Sequence, residues 1–168
     1  TAYVYDGLGR LVRVTDALSG TVTYGNDVVG NRTVMTDANG HVTTYTYDAV
    51  NRLKTVTDPM GFVTGYTYDA AGNRTAWTKP DGVVVNYAFD SLNQLATTTY
   101  PSGTISYEYD NIGNRLAMTD TTGVTRYRYD DLDRVTVVIQ PNGTVSYTYN
   151  LNDNRTSLTY PNGNIVQY

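Results

Sequence analysis

The tetrad Tyr-x-Tyr-Asp recurs at near-constant intervals along the chain. It stands as YVYD at 3–6, YTYD at 45–48 and 66–69, YEYD at 107–110 and YRYD at 127–130. Variants are YGND at 24–27, YAFD at 87–90 and YTYN at 147–150. Anchored on Asp6, Asp27, Asp48, Asp69, Asp90, Asp110, Asp130 and Asn150, the spacing is 21 four times and then 20 three times. A glycine row runs in phase with it: Gly20, Gly40, Gly61, Gly82, Gly103, Gly123, Gly143 and Gly163. From Asp27 onward each anchor precedes its glycine by 13 residues, and only the first repeat departs, with 14. A catalytic motif is used once. A motif used eight times in phase is an architecture, built from units that bury surface against their neighbours.

Each repeat reads as two strands and two turns. The glycine turns, such as TDANG, TDPMG, KPDG and QPNG, combine Pro, Asp, Asn and Gly, residues that suit tight backbone reversals. The anchor Asp opens the other turn, where its carboxylate can accept backbone N–H groups two residues on. Between them lie Tyr-, Thr- and Val-rich runs such as FVTGYTY and LKTVT, which suit a pleated surface. No segment sustains a 3.6-residue apolar period. The expectation is an all-β array of antiparallel hairpins, up to about sixteen strands at two per repeat, forming a curved sheet or a segment of a spiral shell. Residues 1–168 are read as one such array, cut from a longer protein. The two tyrosines, three and one residues before the anchor, share one face. Val22, Val85, Ile105 and Val145 join that face; Thr46, Thr67, Glu108, Arg128 and Thr148 take the other. Leu53, Trp77 and Leu116 are expected to fill gaps between the tyrosine rows.

A second pattern alternates. DGLGR, DAVNR and DDLDR place Arg four past the anchor, with Gln94 there in the fifth repeat. DVVGNR, DAAGNR, DNIGNR and NLNDNR place it five past. The even loops thus look one residue longer, and the true period looks like two repeats. The extra residue either slips the following strand by one, which flips its face, or is absorbed as a bulge at the added glycine.

Composition narrows the function. Sixteen acidic and twelve basic residues give a net charge of -4, a poor footprint for nucleic acid. There is no cysteine, hence no disulfide or thiolate metal site. No apolar run is long enough to span a membrane as a helix. The single histidine, His41, reads as a turn residue, and without a second His or a Cys no nucleophile–base set assembles. DNIGNR and LNDNR resemble calcium loops only loosely and lack the terminal bidentate Glu. GLGR at 7–10 precedes no helix, so it is no dinucleotide fingerprint. NRT at 31–33, 73–75 and 154–156 and NGT at 142–144 match glycosylation acceptors, but follow from the repeat itself. No catalytic, cofactor-binding or metal residue is assigned, no ligand-binding residue can be named, and no enzyme activity or cofactor is expected.

YDGLGRL, YDAVNRL, YDAAGNR and the YPSG and YPNG turns resemble the Rhs or YD-repeat family, whose pattern is Tyr-Asp-x-x-Gly-Arg-Leu followed by Pro-x-Gly. The family includes bacterial Rhs polymorphic toxins, the shell subunits of insecticidal toxin complexes, and teneurins. The resemblance implies a β-sheet spiralling into a hollow shell that encloses a C-terminal toxin. It implies a secreted or cell-surface bacterial protein whose partners are the parent's other repeats and its cargo. The motif is eroded in YGND, YAFDSLNQ and YTYNLNDN, and no shell-closing segment, self-cleaving protease motif or toxin domain is present. The alternative is a carbohydrate-binding or adhesive module that uses the tyrosine ladder. The outermost strands, TAYVY and NIVQY, carry no charge, so self-association through sheet edges is expected.

Overall fold

The computed structural model describes residues 1–168 as seventeen β-strands and no helix. Two compact units divide the chain, Thr1–Val85 and Asn86–Tyr168. The first holds β1 (Ala2–Tyr5), β2 (Leu11–Thr15), β3 (Thr21–Asn26), β4 (Arg32–Thr36), β5 (Val42–Tyr47), β6 (Leu53–Thr57), β7 (Val63–Tyr68) and β8 (Arg74–Thr78). Each pairs antiparallel with the next. β9 (Val84–Phe89) straddles the boundary. The second unit continues with β10 (Leu95–Tyr100), β11 (Gly103–Tyr109), β12 (Arg115–Asp120), β13 (Gly123–Tyr129), β14 (Val135–Gln140), β15 (Gly143–Tyr149), β16 (Arg155–Thr159) and β17 (Ile165–Gln167), again paired in chain order. The antiparallel hairpin array is as the repeat predicts; β17 is the one strand beyond two per repeat.

Strands in each unit touch only their chain neighbours, so no second layer covers a face. Few residues are therefore buried: Val85, Ala117, Thr98 and Thr125. Stability rests on cross-strand pairs rather than on a deep core. On the tyrosine face Tyr45 opposes Val56, Tyr66 opposes Trp77 and Tyr107 opposes Met118. The same row carries Val14 against Val22 and Val138 against Val145. The other face carries threonine pairs, with hydroxyls of Thr46 and Thr55 at 2.6 Å.

Both readings of the alternating loop are corrected by the register. Odd and even loops have the same length: the anchor N–H donates to the carbonyl four residues on, Arg10 after Asp6 and Asn31 after Asp27 alike. Every repeat carries a bulge two residues later, as where Tyr47 opposes Leu53 and Thr46 opposes Thr55, leaving Lys54 unpaired. The same step occurs at Thr33 in an even repeat. The even-repeat glycine is not an insertion either. Gly30, Gly72 and Gly113 occupy the left-handed position that Gly9, Asn51, Asn93 and Asp133 occupy in odd repeats. What alternates is chemistry at two fixed positions: Arg then Asn four past the anchor, with Leu or Val then Arg five past it. Leu116, expected between tyrosine rows, is instead the bulged residue of β12 and is exposed. Leu53 and Trp77 do oppose tyrosines.

The change from 21 to 20 residues has its cause at the glycine turns. In the first unit Asp37 N–H reaches the His41 carbonyl around a five-residue turn, with Gly40 at φ 83°. In the second, Tyr100 pairs directly with Gly103, Asp120 with Gly123 and Gln140 with Gly143, closing two-residue loops. The first repeat's offset glycine is also explained. Ser19 takes the left-handed φ of 68° there. Gly20 stands four past Asp16, where His41 and Phe62 follow Asp37 and Asp58, and like theirs its N–H donates to that Asp carboxylate.

Candidate functional site: the repeated turn and the tyrosine ladder

The polar constellation that recurs in every repeat is the anchor turn, and it is assembled from one residue outward. Asp48 Oδ1 accepts the N–H of Val50 at 3.0 Å and of Arg52 at 2.9 Å. Oδ2 accepts Arg52 Nε at 2.7 Å. Arg52 Nη1 then donates to the carbonyl of Asp69, the next anchor, at 2.7 Å. The same clasp joins Arg10 to Asp6 and to the Asp27 carbonyl, and Arg134 to Asp130 and to the Asn150 carbonyl. In even repeats Asn replaces Arg. Asn31 Nδ2 binds Asp27 Oδ2 and reaches Asn51 Oδ1, both at 2.9 Å. Asn114 links Asp110 to Asp133 in the same way.

The tyrosines add a second set of links. Tyr47, Tyr68, Tyr129 and Tyr149 each donate their hydroxyl to a carbonyl of the preceding repeat: those of Arg32, Leu53, Arg115 and Val135. Even-repeat arginines lie over the other ring row. Arg32 is 4.1 Å from the Tyr24 ring centre. Arg115 stands over Tyr107 and Tyr127 at 5.9 and 4.6 Å. Odd-repeat Arg52 and Arg134 cover Tyr68 and Tyr149. Guanidinium planes thus alternate with rings along each unit.

The carboxylates titrate as acceptors in such clasps should. The backbone N–H and side chain of Arg10 hold Asp6 below the ordinary carboxylate range. The backbone N–H of Arg52 is the main cause at Asp48, and the Asn73 side chain at Asp69. Partial desolvation works against ionisation of Asp27, but the hydrogen bonds from Asn31 and Val29 outweigh it. Desolvation raises Tyr47, Tyr109 and Tyr129 above the ordinary phenol value.

His41 belongs to the same device. Its Nδ1 lies 2.9 Å from Asp37 Oδ2, four residues earlier, as Arg52 Nε lies from Asp48. The structure reveals an Asp turn at the glycine end that the glycine row hid. Asp16, Asp37 and Asp58 each accept two backbone N–H groups, at the second and fourth residues on. Aligning TDALSG, TDANGH and TDPMGF on Asp rather than Gly exposes it. Asp110, in the segment resembling a calcium loop, spends its oxygens on Ile112 and Asn114.

Two open grooves bear on ligand binding. One, of about 190 Å³, is lined by Asp48, Arg52, Lys54, Tyr66, Thr67 and Tyr68, and its Asp and Arg are already clasped. The other, of about 500 Å³, lies at the glycine turns of the second unit beside Met118, Asp120, Thr125, Gln140 and Pro141. Asp120 Oδ1 there accepts both the N–H and the hydroxyl of Thr122. Neither groove brings a nucleophile and a base together. No helix of the structure is long and apolar enough to cross a membrane.

A family model described as RHS Repeat matches residues 5–35, 27–59, 47–84, 68–105, 89–125, 109–145 and 129–165. Among curated proteins none matches. Among solved structures, the Photorhabdus luminescens Tc holotoxin pore aligns with a TM-score of 0.73 at 20% identity over 88% of this chain and 9% of that one. The crystal structure of TcdB2-TccC3 without its hypervariable C-terminal region aligns with a TM-score of 0.74 at 18% identity, covering 92% and 11%. At that identity the likeness is one of fold. The chain spans about a tenth of the length of these structures.

Proposed function

The chain belongs to the RHS repeat family, and from that premise we propose that it is a non-enzymatic structural segment, one stretch of a longer repeat array whose β-sheet walls off a C-terminal toxin. The reading rests on one observation. Polar groups that would do chemistry elsewhere are spent on joining one repeat to the next, through the Arg52–Asp69 carbonyl bond and its equivalents. Support also comes from the folds it resembles, those of the Tc holotoxin pore and of TcdB2-TccC3. The parent is a secreted or cell-surface bacterial protein, and its partners are neighbouring repeats and the cargo. Strands β1 and β17, exposed along their length, favour sheet-edge self-association of the isolated segment. The carbohydrate-binding alternative draws less support, because guanidinium groups already lie over the rings that a sugar would stack on.

Limited proteolysis of the parent polypeptide tests this reading. Its C-terminal region should resist protease in the native protein and become cleavable when residues 27–68 are excised. Equal cleavage of that region with and without the excision contradicts it. So does reproducible turnover by the purified segment that is lost on His41→Ala or Asp69→Asn.

A further inference from the structure

The anchor turns carry a feature that the inter-repeat links do not use. The residue two past each anchor is apolar in seven of the eight repeats: Leu8, Val29, Val50, Ala71, Leu92, Ile112 and Leu132. Leu8, Val29 and Val50 are 75%, 65% and 66% exposed. Polar residues and glycine dominate such turn positions, so local preference and observed residue conflict, as they do at working surfaces. The backbone that carries them is also held in place. The N–H of Leu8, Val29 and Val50 each donates to the anchor carboxylate, at 2.9, 3.1 and 3.0 Å.

In the first unit these turns all lie at one end of the strands, forming a rim with steps of about 9.5 Å, two strand spacings. Its turn tops read GLG at 7–9, VVG at 28–30, AVN at 49–51 and AAG at 70–72, with no charge among them. The opposite rim differs: ALS, ANG, PMG and PDG interrupt any apolar row at Asn39 and Asp81. In the second unit the anchor rim gains acid at Asp131, Asp133 and Asp153.

We propose that the charge-balanced anchor rim of the first unit is a docking surface for the same rim of a second copy of this chain. Two properties select that occupant. A partner can meet every side chain in the row only if it presents apolar groups with the same step, and the rim itself has that step. The anchor carboxylates of Asp6, Asp27, Asp48 and Asp69 are matched in number by Arg10, Arg32, Arg52 and Arg74, so two identical rims face each other without net like-charge repulsion, whereas the acidic turns of the second unit would repel their own copies. A two-fold contact is self-complementary. Centred between the second and third turns, it sets Val29 against the partner's Val50 and Leu8 against the partner's Ala71. Four turns span about 28 Å, short of a standard interface, so the dimer belongs to the weak, transient class.

The absence of cysteine makes a clean test. The double variant Val29→Cys/Val50→Cys, in a glutathione redox buffer, should form disulfide dimers at least tenfold faster than Asn39→Cys/Met60→Cys on the opposite rim. Sedimentation up to about 1 mM should show a concentration-dependent dimer, and Val29→Asp should weaken it on the order of tenfold. The exposed Val29 side chain leaves folding intact, which circular dichroism checks; Val29→Ser serves if the Asp variant misfolds. Equal cross-linking at both rims, a monomer throughout the range, or association indifferent to Val29→Asp overturns the proposal. The last outcome assigns any dimer to the sheet edges instead.

Discussion

The hydroxyl of Tyr68 donates to the carbonyl of Leu53 at 2.9 Å, across the hairpin step from one repeat to the next. The bond explains why Tyr rather than Phe occupies this slot in most repeats. Beneath the hydroxyl, Arg52 lies 4.7 Å from the ring centre while clasping Asp48 and the Asp69 carbonyl. One ring thus reports on three linked contacts.

Tyr68→Phe should therefore destabilise the chain by about 1 kcal/mol, the usual net value of one part-buried hydrogen bond. The ring and its stacked guanidinium stay. Urea denaturation checks this: the midpoint should fall with the slope unchanged.

The eroded second repeat offers the converse. Asn26 stands where its neighbours carry the second tyrosine, and its buried Nδ2 finds no partner. Arg10, which clasps Asp6 as Arg52 clasps Asp48, has no ring at that position to stack on. Asn26→Tyr should supply the ring and a hydroxyl aimed at the Leu11 carbonyl, stabilising by about 1–2 kcal/mol. A rise in thermal midpoint checks it.

Stability should form a plateau in pH with two shoulders. Asp6, Asp27, Asp48, Asp69, Asp110 and Asp130 have folded values below the ordinary carboxylate value of about 3.9. Their contribution is present above that value and is lost as pH falls through the lower folded ones. Tyr47, Tyr109 and Tyr129 are raised above about 10. Their contribution is complete below that and is lost as pH rises through the folded values. Urea midpoints measured from acid to alkaline pH should fall at both ends; a monotonic profile contradicts the assignment.

Much of this was legible in the sequence because the repeat amplifies weak signals. One YTYD is an ambiguous strand; eight in phase fix the strand type, the shared face of Tyr45 and Tyr47, and the turns. The loops misled because Arg drew the alignment. Matching Arg10 to Arg32 makes even loops look longer, whereas the backbone matches Arg10 to Asn31 and Leu11 to Arg32. The bulge at Lys54 and its equivalents left no residue signature, since Val12, Thr33, Lys54 and Leu116 share no chemistry. The Asp turns at Asp16, Asp37 and Asp58 hid behind the more conspicuous glycines. The apolar turn tops at Leu8 and Val29 were visible throughout, but only exposure shows that nothing in the unit covers them.

The chain is a ladder with a two-repeat period, held by links that alternate between Arg and Asn. Excision tests it most directly. Removing residues 27–68 deletes one even and one odd repeat and leaves Arg10 facing Asp69 in the native odd-to-even order. Removing residues 27–47 deletes a similar hairpin but joins odd to odd, so Arg10 meets a turn built for the Asn31 link to Asn51. Urea unfolding of both variants decides the matter. The account predicts that the two-repeat deletion keeps a cooperative transition at a higher midpoint than the one-repeat deletion, although it has lost twice the chain. A higher midpoint for the one-repeat deletion would contradict it.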